Sequence, residues 1–218
     1  MSDPLVKLDR VTFRYGERTV LDQCDLALAA GERVGLVGAN GSGKTTLLGL
    51  IVGLRRPAQG RVIVFGKPRE READFRPIRG RVGLLFQDSD DQLFCPTVAE
   101  DVAFGPFNLG KSRHEVEQIV ARTLGELGLE DYAHRVTYKL SGGEKRLVAL
   151  ATVLAMEPEV LLLDEPTAGL DETAAERVAG ILAGLPQAML IVSHDRPFLA
   201  RIADRRLCLR RGCLQEPL

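Results

Sequence analysis

The nine residues Gly38-Ala39-Asn40-Gly41-Ser42-Gly43-Lys44-Thr45-Thr46 fit the pattern G-x-x-x-x-G-K-[ST] and follow the apolar run Arg33-Val34-Gly35-Leu36-Val37. The chemistry of that arrangement is phosphate binding. Gly38, Gly41 and Gly43 let the backbone turn so that its N–H groups approach a polyphosphate, and a helix opening there adds the positive end of its dipole. Lys44 is placed to reach the β- and γ-phosphates and the Thr45 hydroxyl to ligate Mg²⁺. Asn40, Ser42 and Thr46 complete the loop as candidate nucleotide-binding residues. A second constellation stands far along the chain, where Asp164 and Glu165 end the apolar run Val160-Leu161-Leu162-Leu163. Adjacent carboxylates are costly to bury unpaired. Beside a phosphate loop, the first acid can hold Mg²⁺ and the second can polarise the water that attacks a γ-phosphate.

These groups need elements to position them. Arg33 to Val37 reads as a buried parallel strand, and Thr45 to Ile51, apolar on all sides, as a buried helix. Leu5 to Leu28 alternates in short runs broken at Tyr15-Gly16-Glu17, which predicts antiparallel strands with a turn. Gly60 to Gly66 and Arg81 to Phe86 read as further strands, with the charged, proline-bearing stretch Lys67 to Arg79 as an exposed connection between them. From Val98 to Leu129 the pattern is helical: Val116, Ile119, Val120, Thr123, Leu124 and Leu127 recur at three and four. A helix opens at Ser141-Gly142-Gly143, runs from Glu144 to Met156 and is stopped by Pro158. Glu172 to Leu185 is a further helix, leading to the strand Met189 to Val192 and then Ser193-His194-Asp195. Strands alternating with helices predict an α/β fold with a mostly parallel sheet and chemistry at the strands' carboxyl ends.

Taken together, the phosphate loop, Gln87, Leu140-Ser141-Gly142-Gly143-Glu144, Asp164-Glu165, Ala168-Gly169-Leu170-Asp171 and His194 resemble the nucleotide-binding subunit of an ATP-binding cassette (ABC) transporter, in the family's order and over essentially the whole chain. The resemblance implies a P-loop ATPase core with an N-terminal antiparallel β-subdomain and an inserted α-helical subdomain at about 88–157, all within a single domain, 1–218. It implies ATP and Mg²⁺ as ligands. Tyr15 would stack on adenine, Gln87 would sense Mg²⁺ and the γ-phosphate, and His194 would contact the γ-phosphate as a switch. Ser141, Gly142 and Gly143 would bind the γ-phosphate of a nucleotide held by a second protomer. Lys44, Gln87, Glu165 and His194 form the implied catalytic set; Thr45, Gln87 and Asp164 form the metal set. The signature ends in Glu144 where the family commonly has Gln.

A narrower resemblance lies in Phe86 to Phe94 and Pro96 to Pro106, which are similar to the ATPase subunits of energy-coupling factor (ECF) importers, with the length and LSGGEKR most like the cobalt/nickel type. It implies a membrane importer in which this subunit pairs with a second ATPase subunit, a homodimer preferred, and with a transmembrane coupling subunit and a substrate-binding membrane subunit. Leu93 and Phe94 would help receive a helix of the membrane partner; the alternative is that both are packed as core. Other readings are an ECF ATPase for a vitamin such as biotin, or a soluble ABC ATPase unconnected to transport. Repair-type members carry a long coiled coil, and 46–139 shows no sustained heptads. A nucleotide sensor without turnover would be expected to lack the base or the signature serine, and this chain carries both Glu165 and Ser141.

With 218 residues, 45% hydrophobic and 27% charged, and a formal charge of −1, the composition is that of an ordinary globular protein without the basic excess of a nucleic-acid binder. The apolar stretches fall short of the ~20 residues of a membrane span. Met1-Ser2-Asp3-Pro4 lacks a secretion-signal layout, so the protein is expected to stay in the cytoplasm; the resemblance to importer ATPases implies a peripheral location on the cytoplasmic face of the cell membrane. Cys24, Cys95, Cys208 and Cys213 form no C-x-x-C pair and read as reduced.

Overall fold

The computed structural model describes residues 3–216; Met1 and Ser2, read above for a secretion signal, lie outside them. Seventeen elements follow in chain order: β1 (Val6–Tyr15), β2 (Arg18–Leu28), β3 (Arg33–Val37), α1 (Lys44–Ile51), β4 (Gln59–Val64), β5 (Lys67–Pro68), α2 (Glu72–Phe75), β6 (Val82–Leu85), α3 (Val98–Asn108), α4 (Arg113–Glu126), α5 (Gly142–Leu154), β7 (Val160–Asp164), α6 (Glu172–Gly184), β8 (Ala188–Val192), α7 (Arg196–Ile202), β9 (Arg205–Arg210) and β10 (Cys213–Gln215).

Two sheets share the molecule. The first is antiparallel, in the order β2-β1-β4-β5, with alternate residues such as Val6, Leu8, Leu26 and Leu28 facing inward. The second runs β10-β9-β3-β8-β7-β6, parallel except where β10 returns against β9. β7 and β8 sit inside this sheet and are buried at every position, which is why they read as unbroken apolar runs. One face of that sheet packs on α1 and the first sheet; the other packs on α5, α6 and α7 and continues into α3 and α4. Parallel order brings the carboxyl ends of β3, β6, β7 and β8 to one edge, where Gly38, Gln87, Glu165 and His194 emerge.

Two sequence expectations change. The stretch Lys67 to Arg79 is more than an exposed connection: it forms β5, α2 and a 3-10 turn at Arg76–Ile78, anchored by buried Phe75 and Ile78. Arg69 is buried there as well, donating to the Val64 and Asp74 carbonyls, with Nη1 to Asp74 O at 2.7 Å. No element is assigned above past Asp195, yet α7 follows and β9 and β10 complete the second sheet. Among the described residues no helix is long and apolar enough to cross a membrane, and the four cysteines are free thiols. Burial pushes the Cys24 and Cys95 thiols up to about 11, so both stay protonated near neutral pH.

Candidate nucleotide-binding site

The phosphate loop turns through backbone angles that a side chain would oppose. Gly38 has φ +154, and a Cβ there would lie 2.6 Å from the Leu209 carbonyl; Gly43 has φ +110, and a Cβ would lie 2.7 Å from Val20. Glycine is required at both. Gly43 is also the N-cap of α1, with no side-chain cap and no acidic residue in the first turn, so the first N–H groups of α1 are left for an anion. Lys44 is buried and donates to Gly38 O at 2.9 Å and Ala39 O at 3.1 Å, which folds its ammonium into the loop. Burial pulls its pKa down, against the carboxylates of Glu165 and Asp164.

The acid pair from β7 closes on this loop. Thr45 Oγ1 donates to Asp164 Oδ2 at 2.6 Å across 119 positions of sequence. Burial raises the Asp164 pKa, while Thr45, Lys44 and Arg146 hold it down. Glu165 has φ +52, a left-handed conformation unfavourable for a residue with a Cβ, and its N–H donates to Val192 O at 2.9 Å. His194 N donates to Glu165 Oε2 at 3.3 Å, and His194 Nε2 lies 3.5 Å from Glu165 Oε1. Glu165 Oε1 is buried without a hydrogen-bond partner, as is Ser42 Oγ. An orphaned carboxylate oxygen in the cleft is expensive unless a ligand satisfies it.

A cleft of about 670 Å³ gathers Tyr15, Asn40, Gly41, Gly43, Lys44, Thr45, Thr46, Gln87, Asp164, Glu165 and His194. Tyr15 stands at its rim, half exposed, edge-on to Phe13 at 4.9 Å, with the Arg55 guanidinium 5.7 Å from its ring. Arg18 and Val20, which the sequence does not single out, also line the cleft, as does Ala168 of the Ala168-Gly169-Leu170-Asp171 motif. Arg18 follows Tyr15 by one β-turn, so its position could have been read from the hairpin; Ala168 follows from Asp164 by proximity in sequence.

Ser141, Gly142 and Gly143 do not line this cleft. They open α5 at the surface, where Ser141 Oγ accepts from Glu144 N at 3.3 Å and Glu144 Oε2 accepts from Ser141 N at 2.8 Å. Glu144 Oε1 accepts from the Tyr132 hydroxyl at 2.8 Å and from Arg135 at 3.2 Å. Those hydrogen bonds, the Ser141 backbone first, hold the Glu144 carboxyl below its usual range. The Leu93–Phe94 pair splits. Leu93 packs half-buried against the helical cluster, whereas Phe94 is 64% exposed and stacks edge-on to Phe104 at 4.7 Å. Asp101, buried, accepts from Phe94 N, Cys95 N and Thr137 Oγ1 at 2.9–3.0 Å and so fixes that loop to the segment preceding Ser141.

Comparison with known proteins gives the family. A profile described as ABC transporter matches residues 21–168. A protein of Brucella suis biovar 1 (strain 1330), provisionally named an ABC transporter ATP-binding protein, is 56% identical over 97% of this chain and 88% of its own. The nickel import ATP-binding protein NikO of Rhodobacter capsulatus is 46% identical over 96% of this chain and 87% of its own. The cobalt import ATP-binding protein CbiO of the same organism is 44% identical over 96% and 76%. Among solved structures, cbiO1 from Clostridium perfringens, part of the ABC transporter complex cbiONQ, superposes with a TM-score of 0.87 at 32% identity, covering 98% of this chain and 88% of that one. The dimeric ATP-binding cassette MJ0796 bound to ADP and Pi superposes with a TM-score of 0.88 at 29% identity, covering 97% of each.

Proposed function

This chain belongs to the ABC transporter family of ATP-binding ATPase subunits, and from that premise we propose that it powers a multi-subunit importer of the energy-coupling factor kind, with cobalt or nickel ions as cargo. The observation that carries the catalytic part is the junction of Thr45 and Asp164 at 2.6 Å beside the unpartnered Glu165 Oε1. Its support for the cargo is the likeness to nickel and cobalt import ATPases, together with the acidic Phe86 to Phe94 segment.

Thr45, Asp164 and Gln87 would hold Mg²⁺. Among the described residues no cluster of three His, Cys, Asp or Glu side chains could hold a metal alone, which suits an ion that takes its remaining ligands from phosphate and water. Bound there, Mg²⁺ would neutralise charge on the β- and γ-phosphates. The α1 N–H groups and Lys44 bind the triphosphate, and Tyr15 stacks on the base. Glu165 Oε1 takes the proton of the water whose oxygen bonds to Pγ as the bond from Pγ to the ADP oxygen breaks. His194, fixed against Glu165, contacts the γ-phosphate. Ser141, Gly142 and Gly143, lying outside their own chain's cleft, close over the nucleotide of a second copy; the Gly142 and Gly143 N–H donors are left for it, while Ser141 must turn its hydroxyl away from Glu144.

The subunit would dock to its membrane partner at the cytoplasmic face through the groove of about 660 Å³ that includes Phe94, Phe104, Leu109 and Met156. Truncating Phe94 to Ala then weakens assembly or uptake of the cation while the free subunit keeps its melting temperature, since the ring is mostly in solvent. Unchanged assembly and uptake would remove this groove from the docking surface.

The catalytic assignment is tested by Glu165→Gln. Steady-state phosphate release falls by roughly 10²–10⁴, ATP still binds, and the dimer accumulates with ATP. Near-normal turnover would sink the assignment of the base.

A further inference from the structure

Arg146 is a buried cation that the reading above leaves without a task. It lies in α5 just past Ser141, 3% exposed. A guanidinium carries five N–H donors in one plane. Here every one meets a backbone carbonyl: Nε donates to Pro166 O at 3.4 Å, Nη1 to Phe86 O and to Gln87 O, the latter at 3.1 Å, and Nη2 to Asp164 O and Glu165 O. The acceptors belong to two loops, one leaving β6 and one leaving β7. A buried charge compensated by carbonyl dipoles is a costly way to fill space, and a leucine or methionine would pack α5 at lower cost. Burial draws the Arg146 pKa down, with the Asp164, Glu165 and Asp88 carboxylates opposing it.

The loops it grips contain the least comfortable backbone in the cleft. Glu165 sits at φ +52, and the peptide groups on both sides of it are tied, its N–H to Val192 O at 2.9 Å and its C=O to Arg146. With the backbone held, the carboxylate stays directed at the cleft with Oε1 unbonded. A second strap ties the loop leaving β6 to α5: Phe86 N donates to Gln92 Oε1 at 3.2 Å, and Gln92 Nε2 donates to Ala149 O on α5 at 3.0 Å.

We propose that Arg146 is a positioning residue for hydrolysis: one guanidinium mounted on the signature helix fixes both the left-handed turn at Glu165 and the Gln87 backbone. The inference rests on Glu165 being the general base. Its consequence is that a chain's signature and its own base move as one piece, although they serve nucleotides in different composite sites.

The test compares steady-state kinetics of the full chain as wild type, Arg146→Met, Glu165→Gln and the double variant. In Arg146→Met, kcat falls at least about tenfold while KM for ATP stays within about twofold, because the substitution displaces the base and leaves the phosphate loop intact. In the double variant the proportional loss on removing Arg146 is clearly smaller than in the wild-type background, since no base remains to be positioned. Normal kcat in Arg146→Met overturns the proposal. So does an equal proportional loss in the Glu165→Gln background, which marks a purely structural residue. Near-normal turnover by Glu165→Gln itself is the distinct result that removes the base assignment and this proposal with it. Should Arg146→Met not fold, Arg146→Lys is read in the same way: lysine keeps the charge but has three donors on one atom and cannot span the two loops, so a kcat loss at constant KM supports the role and full activity overturns it. Failure of both variants to fold would make Arg146 a folding residue and end the proposal.

Discussion

Two helices of this chain begin with glycine-rich N-termini, and they are finished in opposite ways. α1 starts from Gly43 with no side-chain cap and no acid in its first turn, and it opens into a concave cleft. α5 starts from Ser141 inside a complete capping box, its third N–H already given to Ser141 Oγ and the Ser141 N–H to Glu144. Bare helix ends bind anions because their donors are unsatisfied. On the proposed reading the first is therefore a phosphate site in its own right. The second keeps its shape without a ligand and retains the Gly142 and Gly143 donors for something brought to it, which is what a surface that meets a nucleotide on another protomer requires.

The largest effect that could break this contrast comes from damaging one end at a time. Lys44→Ala and Ser141→Arg each remove nearly all turnover in a homodimer. Mixed as equal amounts with demonstrated subunit exchange, half the dimers are heterodimers with one intact and one doubly damaged site. Activity then returns to about a quarter of wild type if one site can fire alone. No recovery would show that the two ends do not serve shared sites.

What the sequence exposed and what it hid follows the same division between local and distant bonds. The phosphate loop, the signature and Asp164-Glu165 are contiguous, and each has a strand or helix pattern at its flank, so their chemistry was legible from spacing. Arg146, Asp101 and Gln92 were not. Their partners are backbone groups or hydroxyls, and those of Arg146 and Gln92 that lie across the fold are up to 60 residues away, which leaves no periodicity to read. Lys67 to Arg79 reads as exposed because its charges and prolines mask single anchors, Arg69, Phe75 and Ile78, which are buried. β9 did carry a signal in Arg205-Arg206-Leu207-Cys208-Leu209, where Leu207 and Leu209 alternate as a half-buried strand should.

A smaller effect sharpens the comparison through its two serines. Ser42 Oγ is buried and unpartnered, so Ser42→Ala removes an unsatisfied group: thermal stability holds or rises by up to ~1 kcal/mol, and ATP affinity falls. Ser141 Oγ caps α5, so Ser141→Ala costs ~1 kcal/mol of stability with ATP affinity of the single protomer unchanged. Thermal unfolding with and without ATP separates them. A fall in stability for both would mean that Ser42 has a partner in solution and that the α1 end is not bare.

The smallest effect concerns the acid at the second end. The Glu144 carboxyl is held below its usual range by the Ser141 backbone and the Tyr132 hydroxyl, so its negative charge persists further into acid than that of a free glutamate. A carboxylate in the first turn suits the dipole of α5 but opposes an incoming phosphate. Glu144→Gln keeps an acceptor for the capping box and removes the charge. In a Glu165→Gln background, ATP-driven dimerisation at low salt should tighten by ~2–5-fold, the equivalent of about 0.4–1 kcal/mol, while the free subunit loses a few tenths. The acid limb gives the second sign: a depressed folded pKa contributes stability that is full above the ordinary carboxylate pKa and is lost as pH falls through the folded value, so wild type should show that loss and Glu144→Gln should not. Sedimentation of the two proteins with ATP decides the point, and a weaker dimer for the glutamine variant would mean that Glu144 contributes a contact across the interface that charge alone does not describe.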